Sequence, residues 1–376
     1  MRTREQGEHP RKPGRGDGRP GTVCNHGALP RMRSLLGASP VRAARRARVV
    51  LAGLGAAFLA LDVLLVAGVV ALPAQASGCG GQGQSWTTAA QASPASRSGL
   101  LWLRVGDSRA HVLVSEDPAR LNHPAVSPNG RDIAFLSSSN GIVARLAVCD
   151  LGRHATRTLA MSVPAGNFPL SWDGNGKTLV FLGGDALGWG ADQRPFLVEP
   201  SGARLRALAG DSPWYYDDAV LSPDGSKLAL LLQWKYPNGR EPEQLAVLDL
   251  RTRKLTRVAG SAQVAEIDAV SWSPDGRRLV LSAYRPNVHG GLYVVDVAPK
   301  RLTPLLVAGA GARMPAWSPD GRTVAFVRGG PRASSIWLLD LRTGGTRRLT
   351  AGGIDVAPAW TPDGKALVFV RRGRAT

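Results

Sequence analysis

Ser271-Trp272-Ser273-Pro274-Asp275-Gly276-Arg277-Arg278-Leu279-Val280-Leu281 reads as the end of one strand, a tight turn and the start of a second strand. Pro presets φ near −65° at the second turn position, Asp suits the third, and Gly takes the left-handed conformation that closes a bulged hairpin. The same turn recurs as Ser127-Pro128-Asn129-Gly130, Ser222-Pro223-Asp224-Gly225, Ser318-Pro319-Asp320-Gly321 and Thr361-Pro362-Asp363-Gly364, with a degenerate copy at Asp173-Gly174-Asn175-Gly176. Copies beginning at 127, 173, 222, 273, 318 and 361 lie 46, 49, 51, 45 and 43 residues apart, the spacing of a four-stranded propeller blade.

Each hairpin is followed by a third strand ending in an acidic residue, as in Leu292-Tyr293-Val294-Val295-Asp296, and by a short fourth strand such as Leu255-Thr256-Arg257-Val258. The last copy supplies only two strands. Leu100 through Leu113 aligns without gaps to Leu146 through Leu159, which are third and fourth strands, so the two ends complete one blade. The expectation is an all-β, six-bladed β-propeller over residues 99–376, closed by its N- and C-terminal strands so that no long sheet edge is left open.

The Trp-Ser-Pro-Asp-Gly hairpins at Trp272 and Trp317, and the Thr361 version at Trp360, resemble the TolB-type, WD-like propeller repeat. The resemblance covers residues ~97–376. It implies a binding or scaffold propeller of the bacterial cell envelope. Such propellers also occur as the non-catalytic portion of prolyl-oligopeptidase-type enzymes, and a fold alone assigns no function.

The 376 residues carry a formal net charge of +19, and nearly half of the excess lies in residues 1–48, where twelve Lys/Arg face Glu5, Glu8 and Asp17. That tail is rich in Gly, Pro and Arg without apolar periodicity and reads as disordered. Residues 49–72 form an apolar run interrupted only by Asp62, long enough for a transmembrane helix. The basic flank at residues 31–48 suits the cytoplasmic side and anionic lipid headgroups, which places the propeller outside the cytoplasm. Two rival readings are cleavage after Ala74-Gln75-Ala76, giving a secreted protein, and lipid attachment at Cys79. Residues 73–98 read as a flexible linker. Met32 is an alternative start. The three cysteines, Cys24, Cys79 and Cys149, give neither a disulfide framework nor a zinc site.

The turn residues, Pro128 and Gly130 with their counterparts in the other copies, read as structural, and so do the large apolar residues just before each turn. Positions four to six residues before the turns repeat no apolar type: Asn122, His123, Asn167, Asp217, Asp218, Asp268, Arg313 and Asp355. Radial symmetry would gather them at one channel mouth, as a site for a cation or a basic peptide or simply as carboxylates paired with backbone amides or Arg313. Trp214, Tyr215, Tyr216, Trp234 and Tyr236 fall in longer excursions and read as aromatic contacts on anchored loops. No cofactor is expected.

The favoured function is a membrane-tethered extracytoplasmic scaffold holding a protein or peptide partner in the envelope. The alternative is a propeller enzyme, a glycan hydrolase or lyase, using mouth carboxylates. No Gly-x-Ser-x-Gly elbow occurs, which argues against a peptidase. Nucleic-acid binding is disfavoured because the Arg residues are spread over many turns rather than gathered in a reading element.

Overall fold

In the computed structural model the described residues are 77–78, 99–114, 121–138, 143–164, 169–184, 193–208, 214–234, 244–260, 266–285, 288–306 and 311–373. The expected tail, the apolar run 49–72 and nearly all of the linker lie outside them. No helix among the described residues is long and apolar enough to cross a membrane.

The described elements are all strands. The first eleven are β1 (Ser77–Gly78), β2 (Gly99–Arg104), β3 (His111–Val114), β4 (Leu121–Val126), β5 (Asp132–Ser138), β6 (Val143–Asp150), β7 (Ala155–Pro164), β8 (Ser171–Trp172), β9 (Leu179–Gly183), β10 (Arg194–Val198) and β11 (Arg206–Ala207). Then follow β12 (Trp214–Leu221), β13 (Lys227–Trp234), β14 (Gln244–Asp249), β15 (Leu255–Gly260), β16 (Glu266–Trp272), β17 (Arg278–Arg285), β18 (Val288–Asp296) and β19 (Leu302–Leu306). The last are β20 (Ala312–Trp317), β21 (Thr323–Gly329), β22 (Ser334–Asp340), β23 (Thr346–Arg348), β24 (Ile354–Trp360) and β25 (Ala366–Arg372).

They form antiparallel meanders in the order β4-β5-β6-β7, with β1 on the β7 edge, then β8 to β11, β12 to β15, and β16 to β19. A wider sheet holds β20 to β23 and the set β24-β25-β2-β3, which touch through one parallel pair, Ser334 opposite Ile354. The expected closure is present in register: Gly99 lies opposite Arg371 and Arg104 opposite Ala366, so β2 zips along β25. The fold is an all-β propeller.

The turn motif is self-satisfying. Gly225 N–H donates to the Ser222 carbonyl at 2.8 Å, the Ser222 hydroxyl donates to Asp224 Oδ1 at 2.5 Å, and Asp224 Oδ1 accepts the Ser226 N–H at 3.0 Å. The same bonds recur with Ser273 and Asp275, Ser318 and Asp320, and Thr361 and Asp363, with Gly276, Gly321 and Gly364 at φ 64 to 72. Consecutive turns lie side by side, since the Gly of one faces the Pro of another: Gly176 faces Pro128, Gly276 faces Pro223, Gly321 faces Pro274 and Gly364 faces Pro319. Pro362 stands at the corresponding place in the last turn.

Buried apolar clusters fill the seams between successive meanders. Leu146 shares a cluster with Phe181, Leu182 with Leu230, Leu231 with Leu281, Val280 with Phe326, and Ala325 with Phe369. One more joins Val368 and Leu100 to Phe135, returning from the last strands to β5. Cys149, fully buried on β6, is disulfide-bonded. One disulfide therefore forms where the wide spacing of three cysteines had offered no framework.

Candidate functional site

The residues expected at one channel mouth separate into two groups with different chemistry. Five of the six inner strands carry an irregularity at these positions: register shifts fall at Asn122/Ala125, Tyr216/Asp218, Ile267/Ala269, Arg313/Ala316 and Val356/Ala359. In β12 and β16 the unpaired residue is an Asp, Asp217 or Asp268. Asp218 beside it is 1% exposed, and its Oδ2 accepts the Val270 N–H at 3.2 Å while Oδ1 finds no donor. Asp268 Oδ2 accepts the Ser282 hydroxyl at 3.1 Å.

Burial raises the Asp217 pKa, and it raises that of Asp218 well above the usual carboxylate range, with Asp268 and Asp217 adding like-charge repulsion. Burial also raises Tyr284, with Asp268 reinforcing it. Three carboxylates are thus brought together on one side. Among the described residues no group of three or more His, Cys, Asp or Glu has metal-holding geometry.

Asp355 is not part of that group. It is fully buried and forked onto Arg371, with Nε to Oδ1 at 2.7 Å and Nη2 to Oδ2 at 2.8 Å. Asn122 accepts a bond from Arg372 Nη2 at 2.5 Å, and Arg313 donates to the Gly329 carbonyl at 3.1 Å. Asp355 therefore stands apart from the other three acids, its charge matched by Arg371 on the adjacent strand β25. Asn167 lies outside the described residues.

The aromatic positions also differ from a loop cluster. Trp214, Tyr215 and Tyr216 belong to β12, Trp214 pairing with Trp234 of β13 through the backbone. Tyr216 is turned into the core and 7% exposed, while the Arg257 guanidinium lies 5.7 Å from the Trp214 ring centre. Alternation along a strand explains this: Tyr216 shares a face with core residues and Tyr215 does not. Tyr236 lies outside the described residues.

What the sequence reading missed is at the turn end. The last residues of every inner strand converge on a cavity of 510 Å³ lined by Pro124, Trp172, Trp272, Pro315, Trp317 and Pro358 among others. His123, Met314 and Ala357, each preceding one of those prolines or their equivalents, hold φ 47, 49 and 52. Left-handed backbone on non-glycine residues is uncommon and gathers at functional sites. The repeated signal His123-Pro124-Ala125, Met314-Pro315-Ala316, Ala357-Pro358-Ala359 was available in the sequence.

The tryptophans are fixed across the seams. Trp172 Nε1 donates to the Ala125 carbonyl at 3.0 Å, Trp272 to Val220 at 2.9 Å and Trp360 to Ala316 at 3.0 Å. Trp317 departs from the pattern. Its Nε1 is buried without a partner although the ring lines the cavity, and the Arg278 guanidinium sits 5.1 Å from the ring centre.

A family profile described as PD40, TolB beta propeller domain, matches residues 272–375. No curated protein matches the chain in sequence. Among solved structures, a protein of Agrobacterium tumefaciens described as a TolB is 18% identical with a TM-score of 0.58, over 75% of this chain and all of its own. TolB from Acinetobacter baumannii is 16% identical with a TM-score of 0.50 over 68% of this chain, which spans 64% of that protein. At these identities the likeness is one of fold, and the chain is similar to TolB-type propellers.

Proposed function

We propose that this chain is an extracytoplasmic six-bladed binding propeller, tethered by residues 49–72, that holds an envelope protein or peptide at the turn-end mouth of its channel. The six-blade reading is supported by treating the wide sheet as two meanders joined by one residue pair, one blade for each inner strand. The observation that carries the binding reading is the 510 Å³ cavity on which the ends of all six inner strands converge, walled largely by Pro and Trp residues. A concave apolar site with a few placed polar groups is the usual form of a ligand site. Export is supported by the buried disulfide at Cys149, because such bonds persist in oxidising compartments.

The reading is tested with a photo-crosslinking residue in place of Met314 in the full chain, expressed in its own envelope. A discrete adduct is expected that disappears when Ala357→Trp fills the mouth and that does not form from a crosslinker at exposed Leu255. Equal labelling from both positions would refute a mouth-specific partner. A second reading, acid-base chemistry on a glycan, draws on the raised pKa values of Asp217 and Asp218. It requires that a purified chain turn over an oligosaccharide and that Asp217→Asn abolish that turnover.

A further inference from the structure

We propose that the seam closing the ring carries a second binding site, one that takes a small monoanionic organic acid, with its carboxylate on Arg104 and Asn129 and a flat apolar body on Trp102. The site is a cavity of 330 Å³ lined by Trp102 and Arg104 of β2, Asn129 of the first inner turn, and Thr361, Asp363 and Lys365 of the last. It shares only Pro362 with the lining of the mouth cavity.

At this seam the repeat departs from its own pattern. The outer turn, between the third and fourth strands of a meander, is tied to the inner turn of the same meander by one bond. Leu151 N–H reaches the Arg131 carbonyl, Leu250 that of Ser226, Val297 that of Arg277, Leu341 that of Arg322 and, in the closing meander, Val105 that of Lys365, all at 2.8 to 3.0 Å. The residue before each donor is thereby equivalent. β6, β14, β18 and β22 end there in Asp150, Asp249, Asp296 and Asp340, whereas β2 ends in Arg104. Two residues earlier those strands carry Val148, Val247, Val294 and Leu338, whereas β2 carries Trp102. Both exchanges fall on one face of β2, because side chains alternate along a strand and Leu100 and Trp102 belong to the cluster shared with Ile133 and Phe135 of β5. His111 holds the indole by stacking on it, with ring centres 4.9 Å apart and planes at 22°.

The facing turn departs in the same sense. Asn129 stands where Asp224, Asp275, Asp320 and Asp363 stand; the second copy has Asn175 there but keeps a carboxylate at Asp173. The first inner turn, Ser127 to Gly130, is thus the one copy without an acid. Asn129 Oδ1 serves the turn, accepting the Ser127 hydroxyl at 2.7 Å and the Arg131 N–H at 2.9 Å. The other terminal atom, a carboxylate oxygen in four copies, is here Nδ2, which donates to no acceptor among the described residues. An acceptor has become a donor at the edge of the cavity.

The charges leave one cation over. Asp363 is the lining carboxylate; its Oδ1 accepts the Thr361 hydroxyl at 2.6 Å and the Lys365 N–H at 3.1 Å, and the Lys365 charge balances it. Asp132, next to the first turn, shares its strand face with Ala134 and Leu136 of the neighbouring seam and meets Arg157 at 3.7 Å. Asp107 of the outer turn is exposed and does not line the cavity. Arg104 is exposed and has no ion-pair partner among the described residues. A single uncompensated guanidinium suits a monoanion better than a dianion, and its planar fork matches a carboxylate. The indole accepts a flat apolar body, and the volume is that of a small-molecule site.

The test is fluorine NMR of the full chain labelled with fluorotryptophan in phosphatidylcholine nanodiscs, the Trp102 signal being identified by its loss in Trp102→Phe. Benzoate is expected to shift that signal saturably, at a concentration about tenfold or more below that needed for phenylphosphate, benzyl alcohol or benzylamine. Arg104→Asp and Asn129→Asp install residues that other copies carry at these places. Each should raise the half-saturating benzoate concentration by about tenfold or more without lowering the thermal midpoint, which separates lost binding from lost folding. Arg104→Lys keeps the charge without the fork and should fall between the parent and Arg104→Asp. No saturation by benzoate overturns the proposal, as does tighter binding of phenylphosphate, an equal response to benzyl alcohol, or parental benzoate binding in Arg104→Asp and Asn129→Asp.

Discussion

Asp218 is a carboxyl group in the wrong place for a charge. It is buried, one oxygen has no donor, and Asp217 and Asp268 stand nearby. Its folded pKa is raised above the unfolded value, so the native state binds the proton more tightly. The stability that this proton linkage contributes is fully present below the unfolded pKa and is lost as pH rises toward the folded one. Asp218→Asn keeps the acceptor for Val270 N–H and removes the titration. It is expected to be more stable than the parent near neutral pH, with the gap closing on acidification, in denaturant titrations at several pH values. Asp355 shows the opposite design. Its fork with Arg371 is shielded from water, so Arg371→Met strands a buried carboxylate and should cost about 3–5 kcal/mol, whereas the double change with Asp355→Leu should recover much of it. The sequence placed both acids within four to six residues of their turns, at the start of the inner strands. It did not distinguish them because what decides their state is a partner sixteen residues away in one case and a seam between meanders in the other.

The turns are the elements most legible in advance. Ser, Pro, Asp and Gly each do what their local chemistry dictates, and the hydroxyl-carboxylate-amide relay closes within six residues, so no distant contact was needed to read it. The relay predicts a pH response. The Ser222 hydroxyl, followed by the Ser226 amide, lowers the Asp224 pKa to about 2. Its contribution is present above the ordinary carboxylate range and is lost as pH falls toward about 2, so Asp224→Ala should destabilise at neutral pH and match the parent in strong acid. The outer turns were less legible. Their sequences Arg251-Thr252-Arg253-Lys254 and Ala298-Pro299-Lys300-Arg301 look like solvated charge, and only the φ values show that Arg253 and Lys300 sit where glycine belongs. Each change to Gly should raise stability by about 1 kcal/mol, measured by chemical denaturation. The aromatic excursion was misread because Trp214 to Tyr216 continues β12, and a strand that overruns its neighbours looks like a loop when only spacing is counted.

At the scale of the whole molecule, the seam between β2 and β25 decides whether sheets stacked in a row become a ring. It buries Leu101, Leu367 and Phe369 against Ala325 and Ile336 on one side, and Leu100 and Val368 against Phe135 on the other. Two segments more than 250 residues apart in sequence are paired in register over six residues. Bringing them together costs loop-closure entropy that grows only slowly with the length enclosed, so burial on both faces is enough to hold it. Phe369→Ala removes a fully buried ring from this seam and is expected to cost about 3–5 kcal/mol. A permuted chain makes the more demanding test. Because Gly99 lies opposite Arg371, a short turn after Gly373 can lead directly into β2, converting a pairing of distant segments into an ordinary hairpin. New termini fit at the exposed outer turn between Gly344 and Gly345, where the backbone is already at the surface. If the seam is the closure of the ring, such a permutant should fold as a monomer with a thermal midpoint close to the parent's, and Phe369→Ala should cost it as much as it costs the parent. A permutant that aggregates while its Phe369 variant behaves identically would mean that the two strands do not close the ring in solution.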